Sequence, residues 1–313
     1  MVLNINILIP LLQFCFGGLL LFFGADYLID SSKKIAEKFK ISKIIIGISI
    51  VAIGTSLPEL IVSIMAMFQE KPGIVLGNVI GSNIANIGLI LGICSIINPL
   101  YYSFSKLKGD LIFLIIITVL PIISINFDYM NRLTGILYLV ILCVYCFYLI
   151  MTNNQIDSDE STNSNHVILY LVLGILGLGI GSQLFVKGAV GIAEILGISS
   201  IIIGMTIVAI GTSIPELATT LLAVKRNESS LAIGNVIGSN IMNIVVVLGI
   251  SFIIKEIHSF SSTINVQLFI MFLLTSLLFI SLYISNKLSR STGLVFLIIY
   301  SCFIFINIKT AIN

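Results

Sequence analysis

Long apolar runs, each about the length of a membrane-spanning helix, alternate with short polar segments along nearly the whole chain. A helix that crosses a bilayer needs about 20 apolar residues. By this measure the pattern predicts ten spans and an all-α membrane protein. The predicted spans cover residues 5–27, 42–68, 73–100, 109–126, 132–151, 167–187, 198–224, 229–254, 264–284 and 291–309.

The two halves of the chain repeat each other. Residues 41–60 and 198–217 differ at four of twenty positions, and residues 77–92 and 234–249 differ at four of sixteen. A single offset of 157 residues (216 − 59) aligns both pairs. Each repeat contains five spans, an odd number, so a second copy enters the membrane upside down. The sequence therefore predicts two inverted five-helix repeats, an architecture that supports alternating access in transporters.

A polar segment between the fifth and sixth spans separates the repeats. Residues 152–165 have the sequence TNNQIDSDESTNSN, which is acidic and almost free of hydrophobic residues. Such a composition is typical of a flexible linker. We therefore divide the chain into a first repeat at 1–151, an acidic cytoplasmic linker at 152–166 and a second repeat at 167–313.

Composition agrees with a lipid environment. The 313 residues are 58% hydrophobic and 10% charged, whereas soluble domains carry about 25% charged residues. The net charge of +2 gives no reason to expect a nucleic acid partner. Of the 16 Lys and Arg residues, eleven fall on one side of the predicted spans. The positive-inside rule assigns that side to the cytoplasm, so we expect a multi-pass protein of the cell membrane with both termini outside.

Two copies of one motif interrupt apolar spans. The motif is GTSLPEL at residues 54–60 and GTSIPEL at residues 211–217. Pro58 lacks an N–H and clashes with the preceding turn, so we expect helices 2 and 7 to be broken at GTS(L/I)PE. Broken backbone at membrane depth is tolerated where it is buried in protein or lines a wet cavity. It offers free carbonyls there, such as that of Ala52, beside hydroxyls and the carboxylate of Glu59.

A polar stripe marks the third and eighth spans. Asn78, Ser82 and Asn86 are spaced i, i+4 and i+8, so they share one face of a helix. Interhelical hydrogen bonding is one role for such a stripe, and the Gly-x-x-x-Gly spacing at residues 77–81 suits close packing. We expect the last Asn of each stripe to bind a cation and the other Asn residues to be structural. The eighth span repeats the stripe with Asn235, Ser239 and Asn243.

The two motif carboxylates, Glu59 and Glu216, have no Lys or Arg within either motif segment. A carboxylate inside a membrane costs several kcal/mol unless it is paired or neutralised, so the pair implies bound protons or bound cations. A neutral acid that caps a kink is the structural alternative, and the duplication argues against it. Oxygen ligands suit hard cations such as Ca²⁺, and the lack of His and Cys nearby disfavours Zn²⁺ and Cu⁺. The candidate ligands are Glu59, Glu216, Thr55, Thr212, Ser56, Ser213, Asn86, Asn243, Ser82 and Ser239, with the carbonyls of Ala52 and Ala209.

These motifs resemble the cation/calcium exchanger superfamily, specifically the minimal prokaryotic form of its sodium/calcium exchanger branch. The resemblance covers nearly the whole chain through the ten spans, the GTSLPE and GTSIPE motifs, and two copies of GNVIGSNI. It implies four clustered cation sites, with Glu59 and Glu216 shared between Ca²⁺ and Na⁺ and the Ala52 and Ala209 carbonyls completing Na⁺ sites. It also implies that the first and sixth spans slide across the other eight.

One position departs from the family pattern. Sodium/calcium exchangers often carry Asp where this chain has Asn243. Two glutamates balance one Ca²⁺, whereas three Na⁺ ions leave a net charge of +1. The stoichiometry of three Na⁺ per Ca²⁺ is therefore an open question for this sequence.

We predict a secondary active antiporter that expels Ca²⁺ in exchange for three Na⁺ by alternating access. The alternative is a H⁺-coupled antiporter of Ca²⁺ or another divalent cation. A channel or a passive sensor is a further alternative that a counterflow assay would exclude. The sequence has no Walker A, G-x-S-x-G or H-E-x-x-H pattern, so we do not expect an enzyme. We expect no cofactor, Na⁺ and Ca²⁺ as substrates, a lipid bilayer as surroundings, and a functional monomer.

Overall fold

The computed structural model describes residues 5–127, 129–152, 166–197, 209–257 and 263–312. A single helical turn, Ala209–Gly211, precedes the eighth helix. In chain order the helices and strands are α1 (Ile5–Phe39), α2 (Lys43–Thr55), α3 (Leu57–Phe68), α4 (Pro72–Ile97), β1 (Leu100–Tyr101), α5 (Phe104–Asn126), α6 (Arg132–Met151), α7 (Val167–Ile195), α8 (Ile214–Lys225), α9 (Ser229–Ile254), α10 (Thr263–Ser285), β2 (Lys287–Leu288) and α11 (Arg290–Ile312).

The described part of the chain is an all-helical membrane protein apart from one minimal pair of strands. Eight described helices are long and apolar enough to cross a membrane, and α2 with α3 makes a ninth span if the bent pair is counted as one. The predicted span at 198–224 lies partly outside the described residues, as does most of the predicted linker at 152–166. Strands β1 and β2 pair antiparallel, with Leu100 opposite Leu288.

Helices α4 and α9 occupy the centre of the bundle. In their most apolar windows 72% and 78% of residues are buried, against 17% to 39% for the other single-helix spans. The remaining helices therefore separate α4 and α9 from lipid. These two central helices carry the polar stripes of the sequence.

Helices α1 and α7 pack against each other in antiparallel orientation through glycines. A Cβ added at Gly17 would lie 2.4 Å from the backbone nitrogen of Phe185, and one added at Gly188 would lie 2.3 Å from the backbone nitrogen of Phe14. No side chain fits at these positions, so the two backbones approach as closely as they do in small-residue contacts between membrane helices. Most contacts of α1 are with α7, so the two helices form one closely packed pair.

Both helices of this pair are longer than the sequence pattern predicts. The apolar pattern predicts that the first span ends near residue 27, whereas α1 continues to Phe39. Residues 28–39 are more polar than the preceding apolar run, but they include no Gly or Pro that would stop the helix. The pattern predicts that the sixth span ends near residue 187, whereas α7 continues to Ile195. It stops just before Gly197, whose φ of +76° is the left-handed conformation that commonly ends helices.

Candidate cation site

Helices α2 and α3 are two parts of one bent span, and the bend lies at the GTSLPEL motif as predicted. Their axes differ by 44°. Ser56 separates them, with φ −85° and ψ 4°. Pro58 lies in the first turn of α3, where its missing N–H costs nothing. Glu59 lies in the same turn, where the helix dipole favours a negative charge. The break therefore places a carboxylate at a helix N-terminus inside the bundle.

The GTSIPEL motif has the same local structure where it is described. Ser213 has φ −86° and ψ 5° and directly precedes α8. Pro215 and Glu216 both lie in the first turn of α8. The part of this predicted span that precedes Ala209 lies outside the described residues. The two motifs thus present their glutamates in the same way, at the start of a helix.

The two carboxylates are fully buried and have no basic partner in the described part of the chain. Glu59 and Glu216 are both 0% exposed, and neither belongs to any ion pair between described residues. Ser56 Oγ donates to Glu216 Oε1 at 3.2 Å, and Ser82 Oγ donates to Glu59 Oε1 at 3.5 Å. The Oε2 atom of each glutamate has no hydrogen-bond partner among these residues. Such buried, unpartnered oxygens are costly and suit a bound cation.

Hydroxyl groups from each motif reach the polar stripe of the other repeat. Thr55 Oγ1 lies 3.2 Å from Ser239 Oγ, and Thr212 Oγ1 lies 3.4 Å from Ser82 Oγ. The sequence offset relates these two contacts residue by residue. Four predicted ligands thus meet in two hydroxyl pairs.

The first Asn of each stripe is engaged in hydrogen bonds between helices. Asn78 Nδ2 donates to the carbonyl oxygen of Glu59 at 3.1 Å and to Ser63 Oγ at 3.0 Å, and its Oδ1 accepts from Thr212 at 3.2 Å. These bonds hold the first turn of α3 against α4. Asn235 bonds in a similar way with Thr220 and Thr55.

The last Asn of each stripe keeps polar atoms without partners. Asn86 Nδ2 donates to Asn240 Oδ1 at 3.0 Å, whereas Asn86 Oδ1 and both side-chain polar atoms of Asn243 have no partner among the described residues. Each of these two residues begins a π-helical segment, Asn86–Leu91 and Asn243–Leu248. Such segments are frequent at functional sites. The first packs against α8 and the second against α3, the helices that carry the two glutamates.

The remaining predicted ligands differ in their surroundings. The Ala52 carbonyl accepts from Thr55 Oγ1 at 3.3 Å and from the backbone N–H of Ser56 at 3.0 Å, so it is engaged within its own helix end. Ser213 Oγ is buried and has no partner in the described part of the chain. Ala209 begins the single turn Ala209–Gly211.

The donor set is that of a site for a hard cation. Within the described residues no group of three or more His, Cys, Asp or Glu residues is placed to hold a metal ion. The site instead offers two carboxylates with hydroxyl and amide oxygens, which are ligands that Ca²⁺ accepts. A membrane-spanning bundle of helices with a buried, oxygen-lined site at broken helices is the architecture of a secondary cation transporter.

Comparison with known proteins gives the same class. The sequence model of the sodium/calcium exchanger protein family matches residues 9–151 and 166–309. The chain therefore belongs to the sodium/calcium exchanger family, whose members are membrane transporters and not enzymes.

Two relatives and a solved structure match this chain along almost their whole length. An uncharacterised membrane protein of Methanocaldococcus jannaschii is 37% identical over 92% of this chain and 94% of its own. The sodium/calcium exchanger MaX1 of Methanosarcina acetivorans is 32% identical over 96% of this chain and 98% of its own. A solved structure of the sodium-calcium exchanger NCX_Mj superposes with a TM-score of 0.84 at 34% identity, covering 95% of this chain and 98% of that one.

Proposed function

We propose that the protein is a secondary active antiporter that exchanges Na⁺ for Ca²⁺ and expels Ca²⁺ with three Na⁺ per Ca²⁺. The observation that carries this proposal is the pair of fully buried carboxylates, Glu59 and Glu216, each with one oxygen that no described residue bonds. Family membership, and the sodium/calcium exchange named for MaX1 and NCX_Mj, support the choice of ions.

In this proposal the two glutamates compensate the charge of Ca²⁺ and are shared with Na⁺. Hydroxyl, amide and carbonyl oxygens around them complete the coordination, as hard cations require. No cofactor takes part. The proposed ligands are Glu59, Glu216, Thr55, Thr212, Ser56, Ser213, Asn86, Asn243, Ser82, Ser239 and the carbonyls of Ala52 and Ala209.

Alternating access is the transport mode that we assign to the chain. The duplicated sequence supports ten spans in two inverted repeats, 1–151 and 167–313, joined by a cytoplasmic linker at 152–166. The glycine-mediated packing of α1 on α7 supports their movement as one pair. By the positive-inside rule, we place both termini on the outer side of the cell membrane. We take the monomer as the functional unit.

Proton coupling is the second candidate function. Buried carboxylates without basic partners accommodate protons as well as cations. In this alternative Glu59 and Glu216 carry H⁺ in exchange for Ca²⁺ or another divalent cation.

A flux assay with the purified full chain in liposomes tests the proposal. Vesicles loaded with Na⁺ and diluted into Na⁺-free medium with ⁴⁵Ca²⁺ are expected to accumulate Ca²⁺ above its external concentration. Monensin, which dissipates the Na⁺ gradient, should abolish that accumulation. Vesicles with a pH gradient and no Na⁺ should show none.

The controls separate the candidate functions. Accumulation driven by the pH gradient alone would replace Na⁺ coupling by H⁺ coupling. Equilibration without accumulation, and without acceleration of Ca²⁺ loss by external cation, would indicate a channel. Vesicles with Glu59→Gln together with Glu216→Gln give the background flux.

A further inference from the structure

Among the described residues, a larger and a smaller cavity lie beside the α1–α7 pair. The larger one, about 460 Å³, lies between α7 and α3 and is lined by residues that include Ile61, Gln183 and Lys187. The smaller one, about 180 Å³, lies between α1 and α8 and is lined by residues that include Phe22 and Ala218. The sequence offset relates Ile61 to Ala218. The two cavities therefore occupy corresponding positions beside corresponding helices.

Only the larger cavity reaches the candidate site. Its lining includes Gly54, Gly211 and Thr212, which belong to the two broken-helix motifs. The lining of the smaller cavity includes no residue of either motif. Part of the difference is built into the sequence, because Phe22 occupies the position that corresponds to Gly179 at the larger cavity. Of these two cavities, therefore, the larger extends to residues of both motifs and the smaller does not. We call the side of the bundle with the larger cavity the open end and the side with the smaller cavity the closed end.

An ion-pair network lies at the closed end. Arg226, the residue directly after α8, pairs with Asp26 and Asp30, which are one turn apart on α1. Its Nη1 lies 2.6 Å from Asp30 Oδ1. Arg226 lies ten residues after Glu216, which corresponds to about 15 Å along a helix axis. The pairs therefore lie at the periphery of the closed cavity and not at the cation site.

A third acid, Glu228, forms further ion pairs close to Arg226 in the sequence. Glu228 follows Arg226 by two residues and accepts from Lys33 of α1 at 2.8 Å and from Lys43 of α2 at 3.0 Å. The Glu228 side chain is only 13% exposed. Charge pairs that are partly shielded from water, and that share partners, contribute more than isolated surface pairs. We call Asp26, Asp30, Lys33, Arg226 and Glu228 the ionic clamp.

The described residues of the open end form no such network. The positions that correspond to Asp26, Asp30 and Arg226 are Gln183, Lys187 and Gln69, and those that correspond to Lys33 and Glu228 are Val190 and Lys71. Both charged residues in this set are basic, so they cannot form an ion pair with each other. Among the described residues no ion pair joins α7 to the segment that follows α3.

We propose that the ionic clamp holds the α1–α8 end of the bundle closed, so that the protein at rest opens through the larger cavity beside α7. The inference rests on the alternating access of the proposed function. It adds that the two repeats, although near-identical at the site, differ in charge at their ends. That difference sets the balance between the two conformations, because an interaction present in only one state shifts the population toward that state.

Cysteine labelling in lipid nanodiscs, where both ends are accessible, tests the clamp. The four exposed cysteines, Cys15, Cys143, Cys146 and Cys302, are replaced by alanine. Ile61→Cys then reports the larger cavity and Ala218→Cys the smaller one, in separate proteins. The measured quantity is the ratio of the two rates of reaction with a membrane-impermeant maleimide. We expect this ratio to favour position 61 in the parent.

Removing the clamp should shift that ratio. We expect Arg226→Gln to move it toward position 218 by about fivefold, the lower end of typical coupling between conformational equilibria, and Arg226→Lys to shift it less. Lys255→Gln is the matched control, because it removes the 2.7 Å ion pair with Glu70, which involves neither α1 nor α7. It should leave the ratio unchanged.

Installing a clamp at the other end should shift the ratio the opposite way. Gln69→Arg with Gln183→Asp and Lys187→Asp creates the corresponding pairs beside α7. We expect labelling at position 61 to slow and labelling at position 218 to rise.

An unchanged ratio in Arg226→Gln protein that keeps the parent's melting temperature would overturn the clamp, as would an equal shift in Lys255→Gln. Labelling reports opening and not transport. If Na⁺-driven Ca²⁺ flux is present while the ratio is insensitive to Arg226, the clamp fails and the proposed antiport stands. If the ratio shifts while no such flux occurs, the proposed coupling fails and the clamp stands.

Discussion

The hydroxyl of Ser56 donates a 3.2 Å hydrogen bond to Oε1 of Glu216, a residue 160 positions further along the chain. The break between α2 and α3 therefore contacts the carboxylate of the other repeat directly. The corresponding bond from Ser213 to Glu59 is not formed, because Ser213 Oγ has no partner among the described residues and Glu59 accepts from Ser82 instead. The repeats are near-identical in sequence at the site, and their hydrogen bonds there differ.

This difference predicts unequal effects of two equivalent substitutions. Ser56→Ala should destabilise the ion-free protein by about 1–3 kcal/mol, because it removes a hydrogen bond from a buried acid. Ser213→Ala should leave stability unchanged, since Ser213 has no such bond to lose. Thermal unfolding in detergent without Ca²⁺ measures the difference, and equal destabilisation by both changes would contradict it.

The same pair should behave alike when Ca²⁺ is present. Each substitution removes one proposed oxygen ligand, so each should reduce the rise in melting temperature that Ca²⁺ produces. Ser63→Ala is a control outside the proposed ligand set, because its hydroxyl accepts from Asn78. A full Ca²⁺-dependent rise in the Ser213→Ala protein would remove Ser213 from the proposed ligands.

The charge of the two glutamates predicts loss of transport. Glu59→Gln and Glu216→Gln should each reduce ⁴⁵Ca²⁺ flux to that of empty liposomes, because each removes half of the charge that compensates a divalent cation. Glu70→Gln is the control, because Glu70 pairs with Lys255 in an exposed position outside the site. The Glu70→Gln protein should transport Ca²⁺ normally. Elution from gel filtration as a single folded species would show that lost flux is not unfolding. Near-parental flux in either site variant would remove that glutamate from the proposed ligands.

The position of the candidate site could be predicted because its signals are local. Pro58 and Glu59 within an apolar run indicate a broken helix and a buried charge. The second copy of the motif, which contains Glu216, argues against a chance occurrence. The structure brings the predicted hydroxyls of the two motifs and stripes into contact. Their pairing across the repeats depends on how the helices pack, which no local pattern specifies.

Two features of the fold were not predicted, for the same physical reason. The π-helical segments that begin at Asn86 and Asn243 depend on which backbone groups bond, and that choice is made by packing against α8 and α3. The sequence pattern underestimates the length of α1 because the apolar run ends near residue 27, whereas Asp26 and Asp30 pair with Arg226, which lies far away in the sequence.

Replacing the neutral Asn243 by an acid should add a titration step. We expect Asn243→Asp to transport Ca²⁺ and to depend more strongly on pH than the parent, because a third carboxyl is placed near two others. At low pH the added group is protonated and neutral like Asn, so the variant should match the parent there and diverge as pH rises. Asn131→Asp is the control, since Asn131 caps α6 and Asp also caps helices well. Parallel pH profiles for Asn243→Asp and the parent would exclude Asn243 from the site.

The ionic clamp predicts a loss of stability at acid pH. Burial raises the pKa of Glu228, but hydrogen bonds and charge from Lys33 and Lys43 outweigh this effect, so the pKa lies below the ordinary value of 4.5 for a glutamate. A depressed pKa in the folded state stabilises the fold above the unfolded pKa, and this contribution disappears as pH falls. We expect the melting-temperature difference between the parent and Glu228→Gln to be largest at neutral pH and to shrink below about pH 4.5. A difference that stays constant down to pH 3 would show that the ionised Glu228 does not stabilise the closed end.

Membrane potential should act on the Na⁺ limb of the cycle. With Asn86 and Asn243 neutral, the site carries a fixed charge of −2 from Glu59 and Glu216, so it is neutral with Ca²⁺ and carries +1 with three Na⁺. One net charge then moves per cycle, and about 2.3 kcal/mol per 100 mV acts on it. We expect an inside-negative potential, set with K⁺ and valinomycin, to speed Na⁺ entry coupled to Ca²⁺ exit. Ca²⁺–Ca²⁺ exchange in the same vesicles is the internal control and should be nearly indifferent to potential. If Na⁺/Ca²⁺ exchange is equally indifferent, the protein exchanges two Na⁺ per Ca²⁺, and one of the proposed Na⁺ sites has to be withdrawn.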